Sequence, residues 1–229
     1  MPIHERSYSG KFFRPRPEIL QEPNDQLYLV VTPWGPRSAA KRTVEIIQDF
    51  FLSSLNDLEA TTPFPTLSCL SPAENNLRTA LYLANQGVYR EDNRDEYTAG
   101  VEVFAACRLG PQLICAQVGQ PIVYLNRRGL PLTPLSAPID ATLELSASHH
   151  FLNPLPQYLL GLEPSLNIHS FSFRLQPKDE LLLLSRTLTP PEFYRDKEEL
   201  RSSDSLTQIL SQTDKDMPFW IGQITLENF

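Results

Sequence analysis

The sequence predicts an α+β fold in which antiparallel sheets and helices form stacked layers. Strand-like runs and helix-like runs are segregated along the chain instead of alternating, which is typical of α+β proteins. Hydrophobic residues make up 41% and charged residues 21% of the 229 residues, which is the balance of a folded globular chain. This length suits a single domain, 1–229, because one core can grow to about 250 residues.

The first half of the chain predicts an extended arm, a buried strand and two helices. Residues 1–26 are polar and proline-rich, so we expect an arm that forms an edge strand in part. The apolar run 27–31 ends in a turn at Thr32-Pro33 and predicts a buried strand. Apolar residues then recur every three or four positions from 40 to 55, which indicates an amphipathic helix. A second helix begins at Ser71, where Glu74 completes a capping-box spacing.

The second half predicts mostly strands and turns. Three β-rich runs, 101–107, 112–118 and 122–125, are separated by short turns and predict one antiparallel meander. Residues 91–96 form a charged loop, and we expect loops with one short helix near 156–160 in the proline-rich segment 130–165. The remaining predicted elements are strands at 168–175 and 181–184, an acidic helix at 189–199, a helix around 206–210 and a closing strand at 219–226.

Charge and cysteine content exclude several classes of function. The formal net charge is -7, which argues against bulk nucleic-acid binding because that needs a basic surface. No apolar run approaches the roughly 20 residues that cross a bilayer, so we expect no membrane insertion. The N-terminus lacks the apolar core of a signal peptide. Three cysteines are too few and odd in number for a disulfide framework. Because proteins without disulfides are typical of reducing compartments, we expect a cytoplasmic protein.

The chain resembles the PPM-type (type two C) metal-dependent protein phosphatases at landmarks that occur in the family's order. The family's strand that ends in Asp-Gly corresponds to residues 28–40, and its Gly-Thr-Thr strand start corresponds to 100–103. Its Gly-Asp-Ser-Arg segment before a Tyr-Leu strand corresponds to 114–129. Its Ser-Asp-Gly after an apolar strand corresponds to 179–188, and its closing Asp-Asn corresponds to 216–218. The resemblance spans about residues 7–227. It implies a four-layer α-β-β-α sandwich, with two antiparallel sheets flanked by helices.

The resemblance also implies a two-metal hydrolytic site, in which aspartates at strand ends hold divalent cations. Those aspartates fall on Thr32, Gln120 and Arg186, and the glycine of Asp-Gly falls on Pro33. The aspartate of the family's N-terminal Asn-Glu-Asp segment has no equivalent near 17–19. Asp216 is left as the one ligand position that keeps a carboxylate. We therefore expect a degenerate site with no metal, no other cofactor and no catalytic residue.

These departures predict a pseudophosphatase, which is not an enzyme but a protein-binding regulatory or scaffold module in signalling. The inactive members of the family that it resembles imply a protein partner, such as a kinase or a larger complex. Two alternatives stay open. An active Ser/Thr phosphatase could use a rebuilt metal site made from Asp25, Asp140, Asp179 or Asp216, or a sensor could bind an anion or phospho-ligand in the vacated cleft through Arg186 and Trp34.

Plainer interpretations of the same residues are also open. The segments at Thr32, Gln120 and Arg186 could be ordinary turns of an unrelated sandwich, and Arg186 could form an ion pair with Asp216 or Glu18. Trp34 could be a core residue. The histidines lack metal-ligand spacing, and the two cysteines on neighbouring predicted strands suit small core residues better than nucleophiles. These residues are His149, His150, His169, Cys107 and Cys115.

Overall fold

The computed structural model describes residues 3–22, 27–56, 64–138, 140–142, 153–194 and 201–226. This part of the chain forms ten strands and three α-helices. In chain order they are β1 (His4–Tyr8), β2 (Glu18–Gln21), β3 (Leu27–Trp34), α1 (Arg37–Asn56), α2 (Pro72–Gly87), β4 (Gly100–Leu109), β5 (Gln112–Val118), β6 (Ile122–Asn126), β7 (Thr133–Ser136), β8 (His169–Arg174), β9 (Glu180–Ser185), α3 (Ser203–Thr213) and β10 (Phe219–Thr225).

The chain divides into two compact units, and each contains one five-stranded sheet. The first unit comprises residues 1–16, 119–157 and 174–229, and its strand order is β1-β10-β9-β6-β7. The second unit comprises residues 17–118 and 158–173, and its strand order is β2-β3-β4-β5-β8. The single domain over 1–229 stays a prediction.

The second unit packs α1 and α2 against its sheet. Strand β3 is buried along almost its whole length and lies between β2 and β4 in the sheet. The apolar faces of both helices join the sheet in one core, which confirms the predicted amphipathic pattern. Buried residues that represent this core are Leu29, Val31, Ala40, Ile47, Leu77, Leu81, Val103 and Ala105.

Helix α2 begins where the sequence predicts. Ser71 is its N-cap, Pro72 occupies the first turn, and the Ser71 hydroxyl accepts a hydrogen bond from the Glu74 N–H. The Glu74 carboxylate in turn accepts a hydrogen bond from the Ser71 N–H at 2.8 Å. These reciprocal bonds satisfy donors that a helix start otherwise leaves unpaired, so the capping box is confirmed.

The first unit packs α3 against β1 and β10. Its core is built from alternate residues of the central strands together with apolar residues of α3. These residues are Ile122, Tyr124, Leu182, Leu184, Leu206, Leu210, Phe219 and Ile221. The predicted strands at 181–184 and 219–226 and the helix around 206–210 are therefore confirmed.

The predicted three-strand meander is wrong in its third strand. Strands β4 and β5 form an antiparallel hairpin, but β6 belongs to the other sheet, where it pairs with β7 and β9. Between β5 and β6 the chain passes through Gly119, with φ of 70°, and Pro121, which has no N–H to donate to a ladder. These residues stop the hairpin pattern from continuing, a break that hydrophobicity alone does not reveal.

Smaller corrections concern the irregular segments. The helix expected near 156–160 is absent: Leu160 instead exchanges two backbone hydrogen bonds with Val101, and Pro156 forms an isolated bridge with Asp140. Strand β7 lies inside the segment expected to be loop. The helix expected at 189–199 is a 3₁₀ turn at Pro191–Tyr194 in its described part, and 195–199 lies outside the described residues.

The N-terminal arm and the charged loop both contain regular secondary structure. The segment expected to be an extended arm contributes two edge strands, β1 and β2. The first two residues of the charged loop, Glu91 and Asp92, belong to a π-helical turn, Val88–Asp92, that follows α2. No helix in the described segments combines the length and the apolar composition that crossing a membrane requires.

Candidate functional site

The five positions of the predicted degenerate site are divided between the two units. Gln120, Arg186 and Asp216 lie in the first unit, whereas Thr32 and Pro33 lie in the second.

In the first unit, Arg186 follows β9 directly and is only 1% exposed. Its Nη1 donates to the Leu210 carbonyl at 2.9 Å, and its guanidinium lies 5.6 Å from the centre of the Phe219 ring. Burial lowers the pKa of Arg186 to about 10, and the charge of Asp214 opposes this shift. Arg186 is therefore a buried cation at neutral pH. Its Nε has no hydrogen-bond partner among the described residues.

Gln120 lies beside Arg186. Its Nε2 donates to the Arg186 backbone carbonyl at 3.0 Å, and its side chain is 3% exposed. Asp216 is exposed, and its backbone carbonyl accepts hydrogen bonds from the N–H groups of Lys11 and Phe12. No ion pair joins Arg186 to Asp216 in the part of the chain that the structure describes. The structure thus brings two of the three positions together.

In the second unit, Thr32 and Pro33 lie near the end of β3, opposite Glu102 and Val101 of β4. The Thr32 side chain is 1% exposed, and its hydroxyl has no hydrogen-bond partner within the described segments. Directly opposite residues of an antiparallel pair point to the same face of the sheet. Thr32 and Glu102 are therefore side-chain neighbours.

Glu102 is a residue that sequence reasoning missed. It is 1% exposed, and its Oε2 accepts a hydrogen bond from Trp34 Nε1 at 2.8 Å. Fully buried glutamates are rare, and a carboxylate inside the apolar run 101–107 was the available signal. Trp34 is half-buried, and this bond gives its indole N–H a partner.

Asp140, a candidate ligand for a rebuilt metal site, is fully engaged within the first unit. Its Oδ2 accepts hydrogen bonds from Arg14 Nη2 at 2.9 Å and from the Thr187 hydroxyl at 3.0 Å. Its Oδ1 accepts the backbone N–H groups of Thr142 and Leu155. Each carboxylate oxygen of Asp140 therefore accepts two hydrogen bonds.

Asp179, the second candidate of this kind, is equally engaged. Its Oδ1 accepts a hydrogen bond from Arg127 Nε at 2.9 Å. Its Oδ2 accepts one from Arg127 Nη2 at 2.6 Å and another from the Gln176 N–H. This bidentate pair raises the pKa of Arg127, with burial opposing the shift. Asp25, the third candidate, lies outside the described residues.

The histidines and cysteines do not assemble a metal site in the described segments. No group of three or more His, Cys, Asp or Glu side chains there is arranged to hold a metal ion. His169 is exposed on β8 next to Phe171, and His149 and His150 lie outside the described residues. Cys107 and Cys115 are buried on neighbouring strands, β4 and β5, as predicted for small core residues.

No protein-family model and no curated protein matches the sequence. Solved structures do match it. The chain is similar to the PPM Ser-Thr phosphatase MsPP from Mycobacterium smegmatis, with 18% identity, a TM-score of 0.65 and coverage of 99% of this chain and 98% of that one.

Two further similar structures come from other bacteria. PppA of Pseudomonas aeruginosa, described as a key regulatory component of the type VI secretion system, is 19% identical with a TM-score of 0.64, over 98% of this chain and 96% of that one. The serine/threonine phosphatase PstP/Ppp of Mycobacterium tuberculosis is 16% identical with a TM-score of 0.62, over 99% of both chains. Two antiparallel sheets flanked by helices, aligned over nearly the whole chain, show that this protein has the fold of the PPM Ser/Thr phosphatases.

Proposed function

We propose that this protein is a catalytically inactive PPM-type pseudophosphatase that acts as a protein-binding regulatory or scaffold module. The observation that carries the proposal is Arg186, a buried guanidinium at the position where the family resemblance implies an aspartate ligand. The inactive family members implied by that resemblance act through a protein partner, such as a kinase or a larger complex.

The chemistry of the side chains at these positions does not fit two divalent cations. Mg²⁺ and Mn²⁺ prefer charged oxygen ligands, which Asp and Glu supply. Thr32 and Gln120 offer only neutral oxygens, Pro33 offers no side-chain donor, and Arg186 contributes positive charge. Two unit charges of like sign at 4 Å repel by about 4 kcal/mol at an effective dielectric constant of 20, and a divalent cation doubles that repulsion.

Two of the carboxylates that could rebuild a site, Asp140 and Asp179, are used elsewhere in the first unit. Asp140 and Asp179 each bind an arginine, Arg14 and Arg127 respectively. A metal that took either carboxylate would leave a charged arginine without that partner, and breaking a pair of this kind costs about 3–5 kcal/mol when the pair is buried. Glu102 is the one observation that favours the active alternative, because it is a buried carboxylate next to Thr32.

Phosphatase assays test the catalytic half of this proposal. Hydrolysis of p-nitrophenyl phosphate is measured over a range of Mn²⁺ and Mg²⁺ concentrations, beside an active PPM phosphatase. We expect no metal-dependent turnover by the wild-type chain. Turnover that rises with metal, disappears in Glu102→Gln and persists in the exposed control Glu96→Gln would overturn the proposal and assign Glu102 to a rebuilt site.

Metal binding gives a readout that does not depend on the choice of substrate. Free Mn²⁺ is followed by electron paramagnetic resonance as the protein is titrated into a dilute Mn²⁺ solution. We expect the free Mn²⁺ signal to stay constant as the protein concentration rises. Stoichiometric loss of the signal that is absent in Glu102→Gln would contradict the proposed loss of the metal site.

The partner half of the proposal is tested by the size of the protein in its native extract. The chain has a mass of 26.0 kDa, so an unbound monomer should elute from a size-exclusion column at the volume of a globular protein of that mass. We expect the native protein to elute in a larger complex that persists in the presence of a metal chelator. The purified recombinant chain should elute at the smaller size of the protein without its partner. Elution of both at the same position would contradict a scaffold role.

A further inference from the structure

A cavity with an excess of positive charge lies in the first unit. Its volume is about 360 Å³, at the lower end of the range for small-molecule sites. The side chains that carry the inference are Arg128, Lys178, Arg201, Glu180, Asn126 and Gln223. Three of them are cationic and one is anionic, in a chain whose net charge is -7. The lining therefore has the opposite sign to the protein as a whole.

This cavity lies at the opposite end of the sheet from Arg186. Strand β9 starts at Glu180 in the cavity lining and ends at Ser185, next to Arg186, and Asn126 of β6 pairs with Glu180. Five residues of strand span roughly 17 Å. The cavity is therefore separate from Arg186 and Gln120, and the inference does not rest on the proposed function.

The glutamate in the cavity is bound by neutral donors. Its Oε2 accepts hydrogen bonds from Asn126 Nδ2 and Gln223 Nε2, both at 2.8 Å, and its Oε1 accepts a longer bond from the Thr225 hydroxyl. Glu180 thus stays in place through amides, and the amides and the carboxylate together present a polar wall that can bind hydroxyl groups.

Arg201 supplies a fixed guanidinium. It is 7% exposed, and its Nη1 contacts the Arg127 carbonyl at 3.3 Å and Asn126 Oδ1 at 3.5 Å. It immediately precedes Ser202, the N-cap of α3, whose N-terminal end has a partial positive charge. A guanidinium held by backbone and amide oxygens loses little freedom when it binds an anion, which favours binding.

Lys178 adopts a backbone conformation that lysine rarely takes. Its φ is 68°, and no other non-glycine residue of the described segments has a positive φ. It is the third residue of a turn closed by the Asp179 N–H and the Gln176 carbonyl, a position that favours glycine or asparagine. A lysine kept at such a position places its cation beside the cavity at a cost in backbone strain.

We propose that this cavity binds a phosphate monoester, a small molecule that carries a dianionic phosphate and hydroxyl groups. The net charge of the lining, three cations against one carboxylate, matches a dianion. Two guanidinium groups match the forked geometry of phosphate oxygens, and Lys178 adds a third donor. The hydroxyl groups of the ligand contact Glu180 and Gln223.

Calorimetric titration of the full chain at low salt tests this site, with glycerol 3-phosphate, inorganic phosphate and glycerol as probes. We expect one glycerol 3-phosphate per chain, weaker binding of inorganic phosphate and no binding of glycerol. Absence of saturable binding of glycerol 3-phosphate would overturn the proposal. Equal affinity for glycerol 3-phosphate and inorganic phosphate would overturn the hydroxyl contacts.

The variant Lys178→Gly separates binding from folding. Glycine suits the positive φ, so this variant should stay folded while its affinity for glycerol 3-phosphate falls at least about fivefold, as expected for loss of one charge-assisted contact. Arg128→Gln, an exposed change, should weaken binding similarly. Lys41→Gln on α1 removes the same charge elsewhere and should leave the affinity unchanged. Wild-type affinity in Lys178→Gly, or equal weakening in Lys41→Gln, would overturn the site.

Discussion

Arg14 Nη2 lies 2.9 Å from Asp140 Oδ2, in an ion pair whose side chains are 3% and 1% exposed. The pair joins the N-terminal arm to a residue 126 positions later in the chain. Asp140 also binds the Thr187 hydroxyl, so the same carboxylate holds the segment that follows Arg186. This aspartate is therefore a structural centre of the first unit.

Replacing Asp140 should cost more stability than replacing Arg14. Asp140→Ala removes all four hydrogen bonds to the carboxylate, whereas Arg14→Ala leaves the bonds from Thr187, Thr142 and Leu155 in place. We expect a loss of about 3–5 kcal/mol in the free energy of unfolding for Asp140→Ala, measured by urea denaturation. The loss for Arg14→Ala should be smaller.

The exposed ion pair of Arg6 with Asp204 provides the control. Its side chains are 52% and 77% exposed, so solvent screens the interaction. Arg6→Ala should change the free energy of unfolding by less than about 1 kcal/mol. Similar losses for Asp140→Ala and Arg6→Ala would show that Asp140 is not a structural centre.

Replacing Arg186 with methionine should stabilise the protein. Burial lowers the pKa of Arg186 from 12.5 to about 10, so the folded state bears a cost for keeping the charge. A shift of that size corresponds to about 3 kcal/mol, and the lost hydrogen bond to Leu210 offsets about 1.5 kcal/mol of the gain. We expect Arg186→Met to raise the free energy of unfolding by about 1.5 kcal/mol.

The exposed Arg90 gives a matched substitution, Arg90→Met, which should leave the free energy of unfolding unchanged within about 0.5 kcal/mol. A stability loss above about 2 kcal/mol in Arg186→Met would mean that the Leu210 bond and the Phe219 contact outweigh the burial of the charge.

The three thiols should differ sharply in reactivity. Cys69 is exposed, whereas Cys107 and Cys115 are buried. Burial, with the charge of Glu74 adding to it, raises the pKa of Cys107 to about 12, and burial raises that of Cys115 well above its ordinary value. A thiol-specific reagent at pH 8 should label one cysteine rapidly in the folded protein and all three in urea, and mass spectrometry identifies the labelled peptide. Rapid labelling of Cys107 would contradict the burial.

The same shifts make stability fall at alkaline pH. The folded pKa of each buried thiol lies above its ordinary value of 9.0, so the unfolded state loses its protons first. The stabilisation is complete below about pH 8.5 and declines as pH rises from there towards the folded pKa values, by up to about 1.4 kcal/mol per pH unit and thiol. The Cys107→Ala/Cys115→Ala double variant should lose less stability between pH 8 and about 10 than the wild type. Equal losses would exclude the thiols as the cause.

The capping box of α2 gives a graded prediction. Ser71→Ala removes the acceptor for the Glu74 N–H and should lower the free energy of unfolding by about 1 kcal/mol. Ser71→Gly should cost only a few tenths of a kcal/mol, because glycine is also a favourable N-cap. Thermal unfolding of the two variants and the wild type measures both. A larger loss in Ser71→Gly than in Ser71→Ala would contradict the capping role.

This helix shows which parts of the fold the sequence can predict. Ser71, Pro72 and Glu74 lie within four residues, so their signal is local and the helix start is correct. The sheet to which β6 belongs is set by pairing of residues 122–126 with 180–184, far along the chain. Local hydrophobicity is the same for either partner, and the meander prediction therefore failed.

In the candidate site, too, local features could be predicted from the sequence, and contacts between distant residues could not. Resemblance in the strands located Thr32, Gln120 and Arg186, but the bond from Gln120 to the Arg186 carbonyl depends on a turn that the sequence does not specify. The partners of Asp140 and Asp179 were equally hidden, because an aspartate in a loop has the same sequence signature whether it binds an arginine, a backbone N–H or a metal. Only the three-dimensional contacts distinguish these roles.

Gly35, directly after β3, should tolerate no side chain. Its φ is 137°, and a Cβ built on it would lie 2.2 Å from the Thr98 carbonyl oxygen. Gly110 also has a positive φ, 56°, but open space surrounds its Cβ position. Gly110→Ala should therefore cost only the backbone strain, about 1 kcal/mol, whereas Gly35→Ala should cost at least about 3 kcal/mol because the backbone must move as well. Equal losses in urea denaturation would mean that the turn after Pro33 adapts freely, and a turn of that kind could not hold Trp34 against Glu102.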